Sequence, residues 1–143
     1  MKNVAERLGA SREGWVAAGP APADQIEELL RTYPDLPTDY ISLLRISNGG
    51  EGELNLAPQW LQLYDAKFVS DLASDEIAKW HPGFIFFASN GGLETIAFDT
   101  RGSKPWPVVM VDTIAGPESA VVIAQSFSTF VEAIGVAFNE TSR

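Results

Sequence analysis

The chain has 143 residues, 45% of them hydrophobic, which is enough for one domain with one core. Nineteen acidic residues against ten basic ones give a formal charge of −9, and this argues against direct contact with a nucleic-acid backbone, which Lys and Arg drive. The absence of cysteine excludes disulfides, thiolate metal sites and cysteine nucleophiles, and a single histidine makes a zinc centre an unexpected feature.

The first residues, Met1-Lys2-Asn3-Val4-Ala5-Glu6-Arg7, lack the apolar core of a secretory signal. No apolar run approaches the roughly 18 residues of a membrane span. A soluble cytoplasmic protein is expected, and the lack of cysteine fits a reducing compartment. Val4, Ala5 and Leu8 form a weak helical pattern that Gly9 and Gly14 interrupt. Ala17-Ala18-Gly19-Pro20-Ala21-Pro22 then reads as a linker, so residues 1–20 are taken as an arm and linker and 21–143 as the domain.

Asp24 is placed as the cap of a first helix, with Glu27 three residues on. Ile26, Leu29, Leu30 and Tyr33 form its apolar stripe, and Pro34 stops it. Leu36-Pro37 opens a second helix with Leu36, Tyr40, Leu43 and Leu44 on one face. Ser47-Asn48-Gly49-Gly50 closes it, because Asn and Gly reach positive φ cheaply. Leu54-Asn55-Leu56 and Leu61-Gln62-Leu63-Tyr64 alternate like strands. Asp65 to Trp80 reads as one or two short helical turns around Phe68, Val69, Leu72 and Ile77, and His81-Pro82-Gly83 breaks them.

A second tetrapeptide, Ser89-Asn90-Gly91-Gly92, joins the apolar runs 84–88 and 94–98 into a hairpin. Val108–Asp112 and Ala120–Ala124 are buried-type strands. Ser126 is placed as the cap of a last helix bearing Phe127, Phe130, Val131, Ile134 and Phe138. Of Trp15, Trp60, Trp80 and Trp106, one or two are expected at the surface. Strands outnumber crossover helices, so the fold class is α+β: a single twisted, mostly antiparallel sheet with helices packed on one face.

The order of these motifs resembles the SUKH superfamily, also described as Smi/Knr-like. The resemblance rests on Leu36-Pro37-x-Asp39-Tyr40, Leu43-Leu44 with Asn48-Gly49-Gly50, and Phe86-x-Ala88-x-Asn90-Gly91-Gly92 with Ile96-Ala97-Phe98-Asp99. It continues through Pro107–Asp112 and ends on Ala124-x-Ser126-Phe127-x-x-Phe130. It covers about Ala21 to Phe138. It implies an α+β fold and a binding role, either as a bacterial immunity protein that neutralises a toxin, often a nuclease, or as a scaffold in cell-wall signalling. It carries over no catalytic residue. The departures are the segment before Ala21 and the loop Lys104-Pro105-Trp106-Pro107, and both are open to partner specificity.

The chemistry-bearing residues agree with a non-enzymatic protein. His81 stands between Trp80 and Pro82 and is assigned to packing rather than to a Ser-His-Asp site. Neither glycine motif continues into a phosphate-binding loop, and calcium-loop spacing is absent. No cofactor or metal is expected. The carboxylates are read first as a solvated surface and, in the alternative, as a partner-facing acidic patch, for which Glu51, Glu53, Glu94 and Asp99 are the candidate contacts and Trp60 and Trp106 the aromatic anchors. The expected partner is a basic toxin domain, whose nucleic-acid-holding groups these carboxylates would occlude. The alternative is an intracellular scaffold or regulator of the Smi/Knr type.

Overall fold

The computed structural model of the chain describes residues 14–138. Its strands are β1 (Trp15–Ala17), β2 (Gly50–Glu53), β3 (Trp60–Leu63), β4 (Phe84–Ser89), β5 (Glu94–Asp99), β6 (Val108–Asp112) and β7 (Val121–Ala124). Its helices are α1 (Ala23–Thr32), α2 (Thr38–Ile46), α3 (Ala66–Leu72), α4 (Glu76–Trp80) and α5 (Phe127–Phe130). The strands form one open sheet in the order β1 to β7, and every neighbouring pair is antiparallel. The α+β expectation therefore holds, with each strand beside its neighbour in sequence.

The β4–β5 hairpin anchors the sheet. Its turn is built as its residues require: Gly91 sits at φ 86°, Asn90 Oδ1 accepts from the Gly92 N–H at 2.8 Å, and Ser89 Oγ accepts from the Gly91 N–H at 3.1 Å. The register shifts between Phe86 and Ala88, so the side chains of Phe87 and Ala88 both face the helices. Tyr40 of α2 lies on this face, fully buried, with ring centroids 5.4 Å from Phe87, 5.3 Å from Phe98 and 5.5 Å from Phe127. Alternate positions on the other face form a smaller cluster, Phe84, Phe86, Ala97, Val109 and Val111, against which Leu72 of α3 and Ile77 of α4 pack. β3 pairs with only two residues of β4, and the chain then leaves the sheet to form α3.

The first glycine motif is a joint rather than a simple stop. Gly49 and Gly50 take φ values of 102° and 112°. The buried Ser47 hydroxyl donates to the Gly49 carbonyl at 2.6 Å and accepts from the Ala18 N–H at 3.0 Å. Asn48 Oδ1 accepts from the Ala66 N–H at 2.8 Å, filling an otherwise orphan donor at the start of α3. Its backbone N–H donates to Gly19 at 2.8 Å. One tetrapeptide thus ties α2, α3, β2 and the segment after β1 together.

Four boundaries differ from the sequence reading. Residues 15–17, read there within the arm and linker, form edge strand β1, and Trp15 is buried over glycines of β2. A Cβ at Gly50 would lie 2.7 Å from the Val16 carbonyl oxygen and 2.9 Å from the Trp15 ring. The strand expected at 54–56 lies at Gly50–Glu53, because Leu54 instead makes an isolated bridge to Ile134. That bridge also ends the last helix early. Ser126 caps α5 through the Thr129 N–H at 3.3 Å, but after one 3₁₀ turn the Gly135 N–H donates to Glu53. Asp24 is not the cap of α1: Pro22 holds that position, and Asp24 sits in the first turn, where a negative charge suits the helix dipole. The pattern at Val4, Ala5 and Leu8 lies outside the described residues.

Two outcomes follow for stability. Phe87→Ala empties a fully buried site between Tyr40 and Phe98 and should cost about 3–5 kcal/mol in urea denaturation. Asn48→Ala should cost about 1–2 kcal/mol by leaving the Ala66 N–H unpaired, whereas Asn48→Asp keeps an acceptor and should lose less by the same assay.

Candidate partner-binding surface

Sheet register decides which candidate residues can act together. Val16, Glu51 and Gln62 stand opposite one another on β1, β2 and β3, and Glu53 stands opposite Trp60. Their neighbours along the strands, Trp15, Gly52 and Leu61, form the adjacent rung and face the core, so this set faces outward. Val16 is 70% exposed and Trp60 40% exposed, and the Gln62 amide donates to Glu51 Oε2 at 3.2 Å. The result is an outer sheet face with two apolar side chains, an amide and two carboxylates. Val16 and Gln62 were not among the candidate residues: β1 was not recognised as a strand, and the alternation at 61–64 does not say that Gln62 pairs with Glu51. The signal was present in Gly50-Glu51-Gly52-Glu53: alternation with glycine as the inward residue.

Glu94 and Asp99 do not join this face or each other. They begin and end β5, about 17 Å apart at the usual rise of an antiparallel strand. Glu94 stands opposite Asp112, whose Oδ1 accepts from the Ile114 and Ala115 N–H groups at 2.9 and 3.2 Å. Asp99 takes a two-pronged contact from Arg101, 2.9 Å to each oxygen. These hydrogen bonds hold its carboxyl below the usual carboxylate range. The same guanidinium lies 4.7 Å from the centre of the Phe84 ring.

Trp106 is half-buried, with its ring 6.3 Å from that of Phe98. It forms a wall shared by two cavities. One, of about 340 Å³, is lined by Tyr33, Asp35, His81, Phe84 and Thr100 among others. The other, of about 460 Å³, is lined by Pro37, Asp39, Lys104, Ser126 and Phe127, and also by Asp35. His81 is buried, meets Phe86 edge-on at 5.3 Å, and donates from Nδ1 to the Ile77 carbonyl at 2.9 Å. Its ring is thus oriented by a carbonyl rather than by a carboxylate. Among the described residues, no three His, Asp or Glu side chains are grouped to hold a metal ion. No helix among them is long and apolar enough to cross a membrane.

A search of curated proteins gave no match. The family model described as the SMI1/KNR4 family (SUKH-1) matches residues 20–133, a span that runs from the segment after β1 to the turn following α5. Most of the sheet, both glycine motifs and the Tyr40 cluster fall inside it, and the chain belongs to the SMI1/KNR4 (SUKH-1) family.

Proposed function

We propose that the chain is a non-catalytic protein-interaction domain of the cytoplasm that binds and neutralises a basic, nuclease-type toxin. The family membership supports an interaction role of the immunity or regulatory kind. The observation that carries the proposal is the outer face of β1–β3, where Glu51, Glu53 and Trp60 stand exposed or half-exposed on a chain of charge −9. Carboxylates flanking an aromatic side chain suit a partner surface rich in Lys and Arg: the ring anchors while the charges steer.

Neutralisation works by occlusion. A nuclease holds phosphates with basic groups, and carboxylates that pair with those groups deny the substrate its seat. Long-range attraction between the two proteins also raises the rate of encounter.

The product of an adjacent toxin-type reading frame should co-purify with this protein and lose its nuclease activity on binding. Raising NaCl from about 0.05 to about 0.5 M should slow association markedly. The double reversal Glu51→Lys/Glu53→Lys should slow it about tenfold. An association rate indifferent to both salt and reversal would overturn electrostatic docking. A complex in which the nuclease stays active would favour the scaffold reading instead.

A further inference from the structure

We propose that Asn90, at the tip of the β4–β5 hairpin, is a self-modification site: the following glycine converts its side chain into aspartyl and isoaspartyl forms, while the fold shields the same pair at Asn48. The sequence Ser-Asn-Gly-Gly occurs at 47–50 and again at 89–92, and these hold the two Asn-Gly steps of the chain. A glycine after asparagine leaves the main-chain nitrogen open to the side-chain amide, because no Cβ stands in the way. The local chemistry of the two pairs is the same, so the fold decides any difference between them. In the reaction the Gly91 nitrogen attacks Asn90 Cγ. An N–Cγ bond forms and closes a succinimide ring, the Cγ–Nδ2 bond breaks, and ammonia leaves with the proton given up by Gly91. Water then opens the ring at either carbonyl. One opening leaves an aspartyl side chain on the original main chain; the other leads the main chain through the side-chain carbonyl. Nothing is oxidised or reduced, and water is the one co-reactant.

The hairpin tip presents both reacting groups. Gly91 and Gly92 are exposed. Asn90 Oδ1 accepts from the Gly92 N–H at 2.8 Å, which folds the side chain along its own main chain, past the Gly91 nitrogen. The same hydrogen bond draws electrons from the carbon under attack and stabilises the oxyanion that forms there. The Gly91 N–H donates to Ser89 Oγ at 3.1 Å, so the proton that must leave already points to an acceptor. The Asn48 pair is held differently. Its Oδ1 accepts from the Ala66 N–H at 2.8 Å and its Nδ2 reaches Gln25 Oε1 at 3.4 Å, so this side chain spans to α3 and α1 rather than along its own main chain. Gly49 is buried, and its N–H donates to the Ser47 carbonyl at 2.9 Å. A Cβ there would stand 3.2 Å from the Leu63 carbonyl oxygen, which leaves little room for a ring to close. Conversion at Asn48 therefore waits on opening of the joint, whereas the hairpin tip reacts in place.

Each conversion adds one negative charge to the formal −9. The change falls beside the β1–β3 face: a Cβ at Gly91 would stand 3.2 Å from Gln62 Nε2, and that amide donates to Glu51 Oε2 at 3.2 Å. The conversion itself does not depend on the proposed function. The full chain, aged in mildly alkaline buffer and in parallel in urea concentrated enough to unfold it, tests the site by mass spectrometry. Cleavage after Lys and Arg puts the two pairs on separate peptides, residues 46–67 and 80–101, and fragmentation assigns the change to Asn48 or Asn90. In the folded protein Asn90 should gain about 1 Da, as separable aspartyl and isoaspartyl species, at least about tenfold faster than Asn48. In urea the two should convert within about twofold of each other, because the tetrapeptides are the same. Equal rates in the folded protein, faster conversion at Asn48, or an Asn90 that stays intact as long as Asn48 overturns the proposal. A preference for Asn90 that persists in urea also overturns it, since the fold is then not the cause.

Discussion

Tyr40 is the contact through which the layers of this molecule hold together. Its ring meets Phe87 of β4, Phe98 of β5 and Phe127 of α5 at 5.3 to 5.5 Å, so one helix residue fixes both central strands and the C-terminal turn. Such tilted and edge-on pairs add about 0.5–1.5 kcal/mol each beyond the area they bury. Burial, with a smaller push from the Asp65 charge, drives the Tyr40 pKa far up, so the ring stays neutral. The same cluster reaches the surface. Trp106 packs against this cluster beside Phe98, and it lines both cavities. The position of the cavity wall is in this sense a consequence of the core.

The sheet is covered unevenly, and that asymmetry is what a binding domain can use. Over β4 to β6 both faces carry buried apolar side chains, with Ile77 and Leu72 reaching the second one. Over β1 to β3 only the inner face is filled. The glycines of β2 let Trp15 settle there, and the alternating glutamates then point away from the core. Acidic side chains on that face discourage pairing with a second copy, and they leave the surface suited to a partner of opposite charge.

Much of the architecture was legible because it is locally encoded. Asn90 and Gly91 serve a tight turn between two apolar runs, and their own side chain and backbone suffice to build it. Asp65 and Asp75 cap short helices by accepting from the Phe68 and Ile77 N–H groups, contacts two or three residues away. What was not legible depends on distant partners. β1 exists because glycines more than 30 residues later leave room for Trp15. The last helix has the right apolar spacing through Ile134, yet the backbone there bonds to Leu54 and Glu53 instead. Of the candidate contacts, Glu51, Glu53 and Trp60 share a face through strand pairing, whereas Glu94 and Asp99 are separated by the length of β5. Neither cavity could be read from the chain, since each is assembled from several separate segments.

The central claim is that a partner docks on the outer face of β1–β3. Amide hydrogen exchange of the protein, alone and in complex with a protein partner that it binds, measures this directly. The account predicts new protection at Trp15–Ala17, Gly50–Glu53 and Trp60–Leu63 on complex formation. A complex that protects other surfaces and leaves these three strands exchanging as in the free protein would contradict it.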